Sequence, residues 1–170
     1  MCVRDPHSKV VTAQNILENT QHRNRFSKTV FTNGCFDLLH RGHVDYLVRC
    51  RGLGDTLIVG INTDASVRRL KGATRPITKE GDRAYVLASL ECVDYVVLFE
   101  EEDPLQLIQA LQPDVLVKGG DWSPDMIVGR EVVRARGGAV YSLPFLQGYS
   151  TSDLIQRISS LSEQGEGSPT

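Results

Sequence analysis

Several features common in secreted, membrane-bound or nucleic-acid-coating proteins are missing from this sequence. Among 170 residues there are four cysteines, Cys2, Cys35, Cys50 and Cys92, and none forms a C-x-x-C pair. Thiols scattered in this way read as free rather than as a disulfide framework or a zinc site. No apolar run approaches the roughly 18 residues of a membrane span. The first residues, Met1 to His7, lack the apolar core of a signal peptide. The expectation is therefore a cytoplasmic protein with no membrane partner. A strong positive charge is also lacking, since the formal net charge is −2, which disfavours nucleic acid as a partner. Two nucleotide fingerprints are absent as well. There is neither a G-x-G-x-x-G loop nor a Walker A loop, so a nicotinamide or flavin oxidoreductase and a P-loop NTPase are both disfavoured.

What is present is uneven. Residues 1–90 carry a charge balance of +6 and residues 91–170 one of −8. Six cations, Arg68, Arg69, Lys71, Arg75, Lys79 and Arg83, fall within sixteen residues. They could serve a small polyanion or simply coat a solvated helix and loop. The hydrophobic pattern alternates between strand-like and helix-like runs. Strands are expected at 29–32, 56–62, 94–99, 115–118 and 139–143. Helices are expected at 42–51, 65–70, 79–91, 103–111, 123–135 and from 150 through 161. Residues 1–28 read as an arm with one helix around 10–17. Residues 29–161 form the domain, and the polar stretch 162–170 reads as a disordered tail. Five apolar strands alternating with helices imply an α/β fold, a doubly wound parallel sheet of Rossmann-like type. A strand order of 3-2-1-4-5 would make strands 1 and 4 neighbours at the switch point, where such sheets bind ligands.

The loop after the first strand reads Asn33-Gly34-Cys35-Phe36-Asp37-Leu38-Leu39-His40-Arg41-Gly42-His43. Two histidines three residues apart share a helix face, and Gly42 between them permits close backbone approach. Such a pair can chelate a metal if further ligands join it, can be satisfied structurally by carbonyls, or can donate to phosphates at a helix N-terminus. Lys118 and Gly119 end the fourth strand. Gly148, Tyr149, Ser150 and Thr151 open the last helix, where hydroxyls and free N–H groups favour a phosphate. Ser150 with Asp153 also resembles a capping box.

The run Gly34-x-Phe36-Asp37-x-x-His40-x-Gly42-His43 resembles the signature of the cytidylyltransferase-like nucleotidyltransferases. The segments Asn62 to Gly72, Arg75-Pro76, Leu116 to Asp121 and Gly148 to Thr151 resemble, within that family, the group that adenylylates a heptose 1-phosphate. The resemblance covers about residues 28–160 and departs where Ser152 stands for the usual threonine. It implies that His40 and His43 contact nucleotide phosphates, with Lys71 as a third catalytic group. It places Asn33, Gly34, Cys35, Phe36, Asp37, Gly42, Lys118, Gly119, Gly148, Tyr149, Ser150 and Thr151 around the nucleotide. Asp64, Arg75, Arg83, Asp121 and Trp122 are expected on the acceptor side.

The activity implied is transfer of AMP from ATP to D-glycero-β-D-manno-heptose 1-phosphate, giving ADP-heptose and pyrophosphate for lipopolysaccharide core synthesis. Mg²⁺ would arrive with the ATP rather than in a protein cage. Rival readings are a cytidylyltransferase acting on another phosphorylated alcohol, such as glycerol 3-phosphate, and a non-catalytic nucleotide-binding module. Relatives often carry a sugar kinase domain ahead of the transferase. About 28 residues precede the first strand here, so the expectation is an enzyme supplied with heptose 1-phosphate by others. A homo-oligomer is compatible with all of these readings.

Overall fold

A computed structural model describes residues 4–21 and 28–165. The strands are β1 (Thr29–Gly34), β2 (Thr56–Asn62), β3 (Tyr95–Phe99), β4 (Val115–Gly119) and β5 (Ala139–Leu143). They form one parallel sheet in the order β3-β2-β1-β4-β5. The expected order and fold class are those observed. Every residue of β2 is buried, as a central strand covered on both faces requires. Alternate residues feed two cores. Val30, Leu57 and Val59 pack with Leu47, Leu87 and Val96 on one face. Phe31 and Ile58 pack with Val97, Ile108 and Leu116 on the other.

The helices are α1 (Ala13–Gln21), α2 (Arg41–Arg51), α3 (Asp64–Lys71), α4 (Glu80–Ala88), α5 (Leu105–Leu111), α6 (Arg130–Arg134) and α7 (Thr151–Gly165). Two expectations change. The single helix expected over 123–135 is broken into a 3-10 turn at Pro124–Met126 and the short α6. Gly129 sits between them at φ 86°, a left-handed conformation incompatible with a continuous helix. The side chain of Ile108 occupies the space a Cβ at Gly129 would need. The break gives Met126, Ile127 and Val128 a path of their own toward the ligand edge of the sheet. At the other end, α7 runs four residues into the stretch expected as tail, and residues 166–170 lie outside the described residues.

The N-terminal segment is fastened to the sheet. Val10 bridges Val96 in parallel, and the Val11 amide donates to the Val96 carbonyl at 3.0 Å. Lys9 Nζ donates to the carbonyls of Leu90 and Val93 at 3.2 and 2.8 Å. Ile16 of α1 is buried in the second core. The segment thereby covers part of the outer edge of β3, a strand edge that would otherwise stand open.

Candidate active site at the carboxyl edge of the sheet

The carboxyl ends of β1 and β4 meet at the switch point, and a cavity of about 560 Å³ opens there. That volume lies in the range of small-molecule sites. Its lining draws on the β1–α2 loop, the end of β2, the α3–α4 loop, the β3–α5 loop, the end of β4 and the start of α7.

The β1–α2 loop turns sharply at Phe36, which has φ 46°. His40 follows in an extended conformation and caps α2, its Nδ1 accepting from the His43 amide at 3.4 Å. The two imidazoles stack, with centroids 3.8 Å apart and planes 18° from parallel. Gly42 lies where a Cβ would come within 2.9 Å of Tyr149 and 3.1 Å of the His40 ring. A glycine is therefore required if the segment before α7 is to close over this helix start. Tyr149 packs there beside His40, and Arg41 lies over its ring.

His43 lines the cavity. Its Nδ1 is buried without a hydrogen-bond partner. Burial and the adjoining His40 push its pKa down to about 4, against a weaker opposing pull from the Leu38 carbonyl. Burial lowers His40 as well. Both rings are therefore neutral N–H donors near pH 7.

Lys118 ends β4 half-buried in the same cavity. Burial lowers its pKa, and the nearby Lys71 charge adds to the effect. Among the described residues neither lysine has a hydrogen bond or an ion pair. Two like charges converge here with no carboxylate between them. Thr151 joins them from the first turn of α7, donating to the Leu38 carbonyl at 3.4 Å. Ser150 accepts from the Asp153 amide at 3.0 Å and so caps α7 as expected. It does not line the cavity, nor do His40, Gly42, Gly148 or Tyr149, which form the layer behind it.

Next to this open cluster lies a second one whose charges satisfy each other. Asp37 is buried and accepts from Arg75 Nε at 2.6 Å and from the amides of Ile77 and Thr78 at 2.8 and 2.9 Å. Burial alone would raise its pKa, but the two amides and Arg75 outweigh it and hold the carboxyl low. Asp37 thus fastens the α3–α4 loop instead of presenting a free carboxylate. Arg83 is 2% exposed. Its guanidinium donates to the carbonyls of Thr78, Cys35 and Asn62 at 3.0, 2.6 and 2.9 Å and to Asp64 at 2.8 Å. The expectation that Arg83 and Asp64 face the acceptor is not met by this geometry. They tie three loops together beneath the cavity, and neither lines it. Asp121 is exposed and also outside the lining, whereas Trp122 lines it.

Cys35 lines the cavity, its Sγ 3.8 Å from Asn62 Oδ1. Burial raises its pKa despite the cations of Lys71, Arg83 and Arg75. A protonated thiol is a poor nucleophile, so the site offers donors and charge rather than an attacking group.

Tyr46, Asn62, Leu70, Pro104, Leu116 and Ser152 line the cavity without having been singled out from the sequence as site residues, and so do two further sets. One is apolar, Met126, Ile127, Val128 and Phe145, with the Phe145 ring packed against Gly119. The other is Glu102 and Asp103 from the loop after β3. Their position at the carboxyl end of a parallel strand was the one signal available.

The chain is 61% identical over 138 residues to the "Bifunctional protein HldE" of Citrifermentans bemidjiense, a match covering 81% of this chain and 28% of that protein. It therefore spans less than a third of the length of that curated relative. A crystal structure of the lipopolysaccharide core biosynthesis protein from Thermoplasma volcanium superposes with TM-score 0.57 at 29% identity, covering 73% of this chain and 99% of that one. The pantoate-beta-alanine ligase of Francisella tularensis superposes with TM-score 0.58 at 15% identity, covering 91% and 77%, and shares the fold alone. The cytidylyltransferase-like family model matches residues 31–157, and with this span taking in all of the sheet but its first two residues, the paired histidines and Lys118, the chain belongs to that family of nucleotidyltransferases.

Proposed function

We propose that this cavity transfers AMP from ATP to a sugar 1-phosphate, D-glycero-β-D-manno-heptose 1-phosphate, releasing pyrophosphate and forming ADP-heptose. The observation that carries an anionic substrate is Lys118, a half-buried ammonium with no ion pair among the described residues and Lys71 as its charged neighbour. A partly buried ammonium with no ion-pair partner is costly unless an anion completes the site. The choice of ATP and heptose rests on the likeness to the HldE protein and to the lipopolysaccharide core biosynthesis protein.

The reaction needs no protein nucleophile. An oxygen of the acceptor phosphate attacks the α-phosphorus of ATP. The new O–P bond forms as the bond to the β-phosphate bridging oxygen breaks, and the electron pair leaves with pyrophosphate. His43, held by the His40 ring stacked on it, donates an N–H group, and Lys118 and Lys71 supply charge, where negative charge builds during transfer. The N-terminus of α2 adds its dipole. Orientation of two anions in one cavity supplies much of the remaining rate.

Among the described residues no three His, Cys, Asp or Glu side chains group as a metal cage. This donor set suits a Mg²⁺ carried by phosphate oxygens and water, which would neutralise charge on the triphosphate. No described helix is long and apolar enough to cross a membrane.

Pyrophosphate release, measured with ATP or CTP crossed against heptose 1-phosphate and glycerol 3-phosphate, tests the reading. ATP with heptose 1-phosphate should give the highest kcat/KM. Preference for CTP with glycerol 3-phosphate would replace the substrates, and no release from any pair would remove the activity.

A further inference from the structure

The loop from β3 to α5 carries four consecutive acids, Glu100, Glu101, Glu102 and Asp103, and three are engaged locally. Glu100 pairs with Arg69 at 3.6 Å. Glu101 accepts from the Glu100 amide at 3.1 Å, and its carbonyl accepts from Ser66 Oγ at 3.1 Å. Asp103 accepts from the Leu105 amide at 2.9 Å at the start of α5. Glu102 has no hydrogen bond or ion pair among the described residues, and it lines the cavity. An open carboxylate thus stands in a cavity whose other open charges are cationic. Bonds from Arg69 to the Glu100 carbonyl and from Ser66 Oγ to the Glu101 carbonyl hold the loop that presents it, and neither depends on the Glu100 side chain.

A carboxylate repels phosphate, so this end of the cavity suits the uncharged part of a substrate. β3 lies two places from β1 in the sheet, roughly 10 Å away at two strand spacings, and the loop after it brings Glu102 to that side of the cavity. An acceptor whose phosphate lies against Lys71 can extend its hydroxyls toward β3. A carboxylate is a strong acceptor for adjacent hydroxyls.

We infer that Glu102 is a specificity-determining residue, accepting hydrogen bonds from sugar hydroxyls of the acceptor and excluding acceptors with a second anionic group at that end. This rests on the proposed transfer to a sugar 1-phosphate. It adds a named residue that reads the hydroxyls of the acceptor and the expectation that a second phosphate at that end is disfavoured.

The test compares wild type, Glu102→Gln, Glu102→Lys and, as a control, Glu100→Gln, which removes the same charge outside the cavity. Pyrophosphate release is measured with ATP and either heptose 1-phosphate or the 1,7-bisphosphate. Glu102→Gln should raise KM for the monophosphate about tenfold, as loss of a hydrogen bond to a charged group does, with KM for ATP unchanged. The ratio of kcat/KM for bisphosphate over monophosphate should rise about tenfold in Glu102→Gln and further in Glu102→Lys, as removal and then inversion of a repelling charge predict. Glu100→Gln should leave that ratio where it was. An unchanged ratio and acceptor KM in both Glu102 variants would overturn the inference. So would a shift confined to Mg²⁺ dependence, or an equal change in Glu100→Gln. Inactivity of the wild type toward the monophosphate would instead overturn the proposed reaction, a result distinct from these.

Discussion

The two charged clusters at the carboxyl edge of the sheet use similar residues and do opposite things. Asp37, Arg75, Arg83 and Asp64 are joined by short hydrogen bonds and ion pairs. Lys118, Lys71 and the Nδ1 of His43 have no such partners. The first cluster satisfies itself, so it sets the shape of the loops. The second is left unsatisfied at a cavity, so its charge and donors remain available to a ligand. Stability should therefore reside in the first cluster and turnover in the second.

The largest expected effect would break the first cluster. Arg83→Met leaves Asp64 without its cation and the carbonyls of Cys35 and Asn62 without donors. Loss of one partner of a buried pair costs about 3–5 kcal/mol, and chemical denaturation should show it. A loss below about 1 kcal/mol, the range of an exposed pair, would mean that Arg83 is not a brace.

The histidines sharpen the contrast. His43→Ala should lower kcat by roughly 10²–10³, the effect of removing a donor used in the transition state, with a much smaller change in stability than Arg83→Met. His40→Ala should lose a similar rate factor and, as the cap of α2, about 1 kcal/mol besides. Stopped assays beside thermal melts separate the two quantities.

The depressed histidine pKa values also carry a sign. Unfolded histidines take up protons below about pH 6.5, whereas His43 in the fold waits until about 4. The unfolded chain then binds more protons, so stability should fall as pH drops from about 6.5 towards 4. Urea titrations across that window should show a shallower slope in His43→Ala.

A smaller effect is expected at Lys118, and it should run the other way on stability. Lys118→Met removes an unpaired, partly buried charge, so the melting temperature should hold or rise. ATP affinity should fall about tenfold, as loss of a hydrogen bond to a charged group does, with AMP affinity falling less. Equal losses in calorimetry would place Lys118 away from the outer phosphates.

The sheet was legible because its strands are apolar runs bounded by Gly, Pro and cap residues. Val115–Gly119 and Ala139–Leu143 are found nearly where the pattern sets them. The paired histidines were legible because both their spacing and their motif are local. Pairing across distant segments was not. Asp37 and Arg75 are 38 positions apart, and nothing in either residue tells a loop brace from a substrate contact. The break at Gly129 was hidden because a helix-like pattern on both sides outweighed one glycine. Glu102 went unnoticed because three of the four acids in its run serve the loop itself, and only the absence of a partner together with its place in the cavity lining singles out the fourth.

The central claim is that the open cluster moves the α-phosphoryl group of ATP onto a sugar phosphate. The most direct measurement uses ATP labelled at the α-phosphorus, with heptose 1-phosphate and Mg²⁺, and follows the label in wild type and His43→Ala at matched melting temperature. Label is expected in the nucleotide sugar for the wild type, with near-complete loss in the folded variant. Label transfer at the wild-type rate in His43→Ala, or label found only in free AMP or ADP in the wild type, would contradict it.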